Sequence, residues 1–254
     1  MDTKTKGELL KFIGTGLEQV GDLATWIQAP QRRYHRHEFF GIDAASLTLA
    51  SSKRTYSLRD IGYGGCGMVG GDPWPSEKLG SGAPFEATIK YLDQSFPFNL
   101  TVRHIQNLHV GCEFTDMTNG HVQFLKSFIQ YMDAALQIRQ ADPSTVFSAF
   151  REREWLNLIG HRGSLRFHIR RAEGRDGFEA TLVFVLSGNH TYCVWKDDKL
   201  DIGFLNGDFP AGGDRTAMLR QIVSLLIGIR QGASLPDFSP IIERVMGLVS
   251  LQRP

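Results

Sequence analysis

The ten residues from Gln31 to Phe40 read QRRYHRHEFF and bring Arg32, Arg33 and Arg36 into one short, loop-like segment. Downstream, RDIGYGGCG sets Asp60 ahead of a glycine-rich run. A guanidinium is a planar fork that pairs with phosphate oxygens or with guanine O6 and N7. A carboxylate accepts from the N–H edge of guanine. Glycine has no Cβ and lets a ligand approach the bare backbone. Arginines, an acid and glycines together form a kit for holding a guanine nucleotide.

Elements must position those residues. Residues 7–28 carry Leu10, Ile13, Leu17, Val20, Ala24 and Ile27 at spacings of three and four, which predicts an amphipathic helix. Gly14, Gly16 and Gly21 weaken it, and Pro30 ends it. Its apolar face must be covered by the rest of the chain, by a second copy in a homodimer, or by a protein partner; packing within the protein or its dimer is the simplest. From residue 44 to 115 the segments LTLA, TYSL, FEATIKYL and FNLTVRHI alternate or run apolar over short lengths, predicting antiparallel strands in a small barrel or sandwich. Residues 119–138 read as a helix with Val122, Leu125, Phe128, Ile129 and Met132 on one side.

ADPS at 141–144 combines a helix stop with an N-cap and marks a domain boundary. Beyond it a helix is predicted around 144–158. A strand meander follows (SLRFHIRRA, FEATLVFVLSG, TYCVWK, LDIGFL), with tight turns at EGRDG and KDD. Two helices, near 213–230 and 239–250, close the chain. The expected organisation is mixed α+β: an N-terminal amphipathic helix (1–30), a β-rich domain (31–140) and a C-terminal α+β domain (144–254).

Residues 31–135 resemble a PilZ domain, the bacterial receptor module for cyclic di-GMP. The family's first motif, RxxxR at the lip of a β-barrel, is matched by Arg32 and Arg36. Its second, [DN]xSxxG on a barrel strand, is matched by DIGYGG, with Asp60 and Gly65 in place and Gly62 where the family has serine. A glycine shortly before a phenylalanine near the barrel's end is matched by Gly111 and Phe114 in GCEF. The strand-rich middle and the helix after it fit a PilZ-type antiparallel β-barrel with a closing helix. The resemblance covers less than half of the chain.

It implies a cyclic di-GMP site of Arg32, Arg33, Arg36, Asp60, Gly62, Gly65 and Gly111. Arg32 and Arg36 would grip the ligand, which carries two phosphates and two guanines. Arginine suits it because its fork can bond O6 and N7, clamp a phosphate or stack on a base. Arg33 reads as a further phosphate contact or a solvated side chain. Asp60 would accept from guanine N–H groups, and without the arginines it would read as an ordinary strand-end aspartate. Gly65 reads as a close-approach glycine, a bulge glycine, or both. Gly62 offers no hydroxyl, and one lost neutral hydrogen bond costs about 0.5–1.5 kcal/mol.

The chain as a whole narrows the function classes. Its 254 residues carry a formal net charge of +1 and are 42% hydrophobic, enough for a core and too neutral for a general DNA binder. The three cysteines, Cys66, Cys112 and Cys193, show no CxxC spacing and read as reduced cytosolic thiols. Glu8, Lys11 and Glu18 interrupt the N-terminal apolar residues, so no signal peptide is read there. SLLIGI, the longest later apolar run, is too short to span a bilayer. A cytoplasmic location is expected.

Rival motifs fail on context. Gly62, Gly64 and Gly67 satisfy GxGxxG, but MVGGDPWPSE follows and cannot open the helix a dinucleotide fingerprint needs. His35, His37, His104, His109 and His121 show no metal-ligand spacing and read as surface or barrel-lip residues. There is no GxSxG, and Asp197 and Asp198 sit in a solvated turn. No enzyme, metal or resident cofactor is expected. Phe147, Phe150, Trp155 and the Leu219, Ile222, Leu225, Leu226, Ile229 stripe read as core; HIRR at 168–171 reads as a solvated strand face. The favoured function is a cyclic di-GMP effector that changes its protein contacts on binding. The alternative is a non-binding PilZ-like adaptor.

Overall fold

Period-two alternation lays down the first half of the chain as strands. In PFEATIKY, Ala87, Ile89 and Tyr91 point inward while Glu86, Thr88 and Lys90 face solvent. The computed structural model describes residues 35–39, 41–69, 74–75, 78–147, 150–152, 154–160, 165–172, 177–186, 189–205, 207–208, 212–232, 235 and 237–251. The predicted N-terminal helix, Arg32 and Arg33 lie outside the described residues.

Seven strands form the first sheet: β1 (His37–Glu38), β2 (Ala45–Leu49), β3 (Thr55–Gly62), β4 (Gly65–Val69), β5 (Pro84–Tyr91), β6 (Gln94–Gln106) and β7 (His109–Thr115). The antiparallel order β3–β2–β5–β6–β7–β4 closes when β4 pairs back onto β3, giving a six-stranded barrel. Closure removes the free edges of an open sheet. β1 pairs with the C-terminal half of β3, beyond the stretch that pairs with β2. The glycine-rich GYGGCG is the β3–β4 hairpin, with Gly62 opposite Gly65; a strand follows the glycines, as the rejection of a dinucleotide fingerprint requires. The closing helix α1 (Asn119–Leu136) stands where predicted.

The second sheet is antiparallel throughout, with its strands side by side in chain order. It comprises β8 (Arg139–Gln140), β9 (Leu156–Ile159), β10 (Leu165–Arg171), β11 (Phe178–Leu186), β12 (Asn189–Lys196) and β13 (Lys199–Phe204). The KDD turn is a two-residue hairpin with Asp197 and Asp198 both in the left-handed region. The helix predicted around 144–158 does not form among the described residues. Pro143–Thr145 makes one 3-10 turn capped by Asp142, and Leu156–Ile159 is strand β9. Asn157 explains part of the outcome: its amide donates to the Phe150 carbonyl at 2.7 Å, and its Oδ1 lies 2.6 Å from His168 Nδ1. Phe147 and Phe150 bury in one small cluster against the sheet's outer face, with half-buried Trp155 packed on it, rather than as a helical stripe.

Helices α2 (Gly212–Gly232) and α3 (Ser239–Leu251) close the chain as predicted. α2 is apolar on most sides because it is enclosed: Leu219, Ile222, Val223, Leu225, Leu226 and Ile229 are all buried. It lies against α1 closely enough that a Cβ on Gly228 would strike the Met132 carbonyl oxygen. One hydrophobic core runs from the barrel through α1 and α2 to the inner face of the second sheet. Arg220 of α2 clamps Asp93 in the β5–β6 turn through two bonds of 2.6 and 2.7 Å, and Tyr91 bonds Ser224 at 2.8 Å. Among the described residues, no helix is long and apolar enough to cross a membrane.

Candidate functional site

Arg36 immediately precedes β1, whose register places His37 opposite Ile61 and Glu38 opposite Asp60. The pairing brings the Arg36 guanidinium to 2.8 Å from Asp60 Oδ1. Asp60 follows a β-bulge at Arg59, which re-aims the strand. Its carboxylate lies over the opposing strand's bare backbone: a Cβ on Gly67 would come within 2.5 Å of Asp60 Oδ2. Asp60 is mostly covered (16% exposed side chain) and Arg36 is half-open at 43%.

The other sequence-predicted glycines serve close packing. A Cβ on Gly65 would meet the Cys112 carbonyl oxygen across the β4–β7 pair. Gly111 takes the His104 ring against its backbone, and pairs across strands with Gly67. At Gly62 a Cβ would sit 2.5 Å from the His35 carbonyl oxygen. The residue that replaces the motif's serine therefore lets the arginine segment lie down on β3.

His35, Arg36, Gly62 and Gly65 border a groove of about 250 Å³. His35 and Arg36 form one wall, the hairpin from Gly62 to Gly65 the floor, and Arg103 with Glu113 the opposite wall. Cys112 sits at its base, directly opposite Cys66 on β4. Burial pushes both thiols up, Cys112 to about 12 despite the Arg36 guanidinium beside it, so both are neutral. Sequence reasoning brought Arg36, Gly62 and Gly65 to this groove, while Asp60 stands behind its wall, bonded to Arg36. It placed Gly111 beside it, on the next cross-strand row.

Sequence reasoning missed Arg103 and Glu113, which form an ion pair on β6 and β7. It also missed His37, read as a lip histidine. His37 is fully buried, and its Nε2 bonds Asp133 Oδ1 of α1 at 2.8 Å. The Glu38 carbonyl accepts from Gln231 of α2 at 3.0 Å. The segment carrying Arg36 is thus tied to both helices. A second cavity, of about 300 Å³, lies beside Phe39, Asp43 and Arg59 and holds none of the predicted ligand residues.

Comparison with known proteins follows the same geography. Residues 30–131 match the family model of the PilZ domain. Among solved structures the chain is similar to the crystal structure of the Legionella uncharacterized protein Lpg0364, at 13% identity over 37% of this chain and 87% of that one, with a TM-score of 0.28. No curated protein matches the chain.

Proposed function

With residues 30–131 forming a PilZ domain, a receptor family for cyclic di-GMP, we propose that this protein is a cyclic di-GMP effector that binds the nucleotide in the groove beside Arg36 and Asp60. The observation that carries the reading is the Arg36–Asp60 pair, 2.8 Å apart beside glycine backbone. A guanine offers O6 and N7 to the arginine and N–H groups to the carboxylate, so it replaces each partner with an equivalent one. Arg36 is half-open, so its guanidinium can turn from Asp60 to a ligand. Arg32, the motif's other arginine, joins Arg36 on the ligand, and Arg33 adds charge for its phosphates. The protein works by binding, in the bacterial cytoplasm, with no chemistry of its own.

Ligand at Arg36 acts on β1, and through His37 and Glu38 on α1 and α2. Those helices carry the second sheet, which is the surface offered to a protein partner. A non-binding adaptor is the second reading, and Gly62 favours it: the His35 carbonyl takes the space of the missing side chain. Calorimetric titration of cyclic di-GMP into the wild type and Arg36→Ala separates the two. Micromolar or tighter binding, weakened at least about tenfold in the variant, supports the effector, since charged hydrogen bonds are worth about 1.5–3 kcal/mol. No heat and no thermal shift at high ligand concentration leaves the adaptor.

A further inference from the structure

We propose that the groove reads guanine with two Arg–carboxylate pairs rather than one: Arg36, backed by Asp60, on one wall and Arg103–Glu113 on the other, the second pair setting the preference for a dinucleotide with two guanines. The proposal rests on the nucleotide reading of the groove and adds residues that lie outside both sequence motifs.

Arg103 owes its position to a β-bulge. The β6–β7 register shifts between Val102 and His104, leaving Arg103 as the extra residue, and a bulge turns such a side chain away from the regular pleat. Its guanidinium meets the Glu113 carboxylate, and both line the groove. Their side chains are 58% and 48% exposed, so the pair is screened and gives way readily to a competing partner.

The cross-strand register fixes how the two walls face each other. Gly62 stands opposite Gly65, and Gly65 opposite Glu113. Two strand spacings therefore separate the walls, about 10 Å of sheet. Gly64, in the hairpin between them, has open space where a Cβ would stand, so a flat base can approach bare backbone there.

The chemistry is matched on both sides. Each wall pairs a planar five-donor fork with an acceptor-only carboxylate. A guanine base is the complement of that combination: O6 and N7 accept on one edge, and the ring and exocyclic N–H groups donate on another. Adenine places an N–H₂ donor where guanine has O6 and meets the arginine with the wrong polarity. Two such walls fit a ligand with two guanines, each wall exchanging its internal ion pair for one base.

The test titrates cyclic di-GMP and cyclic di-AMP into the full-length wild type, Arg103→Gln, Glu113→Gln and Arg36→Ala, with a thermal melt of each. Both second-wall residues are exposed, so their variants should melt with the wild type. Arg103→Gln and Glu113→Gln should each weaken cyclic di-GMP about ten- to hundredfold, the range of a bidentate base contact, and narrow its preference over cyclic di-AMP. Wild-type affinity and selectivity in both variants, with Arg36→Ala still weakened, would overturn the second pair and leave the groove a nucleotide site. Absence of binding by the wild type would overturn both.

Discussion

A side chain at position 62 would have to displace the His35 carbonyl, 2.5 Å from where its Cβ would stand. From sequence alone Gly62 is one absent hydroxyl, a matter of about 0.5–1.5 kcal/mol. In the fold it is the reason the Arg36 segment rests on β3. We therefore expect Gly62→Ser to lower stability by about 1–3 kcal/mol, the usual range for overpacking, without tightening cyclic di-GMP binding. Urea denaturation and calorimetry check both halves; a serine variant as stable as the wild type and tighter for nucleotide would reduce Gly62 to a missing donor. Arg36 and Asp60 were legible because each sits in a local motif whose residue types carry their own chemistry. Arg103 and Glu113 were not, because a single arginine on a strand acquires meaning only from a bulge and a cross-strand partner. His37 was misjudged because its burial comes from α1, through Asp133, far along the chain.

Strands with clear alternation and helices with clear periodicity were readable as elements; the stretch between α1 and β10 was not. Its aromatic spacing suggested a helix, but Leu156–Ile159 found ladder partners on β10, and tertiary pairing outweighed local preference. The same junction buries a titratable group. His168 on β10 stacks on Phe150 with ring centroids 4.0 Å apart and bonds Asn157 through Nδ1, while its Nε2 has no hydrogen-bond partner among the described residues. Burial, with the Arg166 guanidinium adding to it, pushes its pKa down to about 3. An unfolded histidine titrates near 6.5. Between those values the unfolded chain binds a proton that the folded chain refuses. The contribution of neutral His168 is therefore complete above about pH 6.5 and is lost as pH falls, by at most about 1.4 kcal/mol per pH unit. Urea midpoints from pH 7 to pH 4 should fall more steeply for the wild type than for His168→Gln, which keeps a donor for Asn157; parallel profiles would assign the acid sensitivity to another group.

Across the whole molecule, barrel, helices and second sheet share one core, and the Arg220–Asp93 clamp fastens α2 to the barrel. The arginine segment joins this framework through His37–Asp133 and Glu38–Gln231. A ligand shifts a conformational equilibrium only by its differential affinity for the two states. If cyclic di-GMP binds better to a moved segment, α1 and α2 must respond. Saturating nucleotide is expected to change proteolytic cleavage within residues 28–40 and amide exchange in β1 and the C-terminal turn of α2. Gln231→Ala, which removes the donor to the Glu38 carbonyl, should retain binding and lose the α2 response. Unchanged cleavage and β1 exchange in the wild type would overturn the switch. By itself, the sequence determined a strand-rich first half, the helix after it and the two terminal helices. Those follow from periodicity and residue type, which act over a few residues. Only the tertiary structure decided that Gly62 seats the arginine segment, that Arg103 and Glu113 face it across the groove, and that a buried histidine ties it to α1. Each of these depends on register or on packing between residues distant in the chain, which local pattern does not encode.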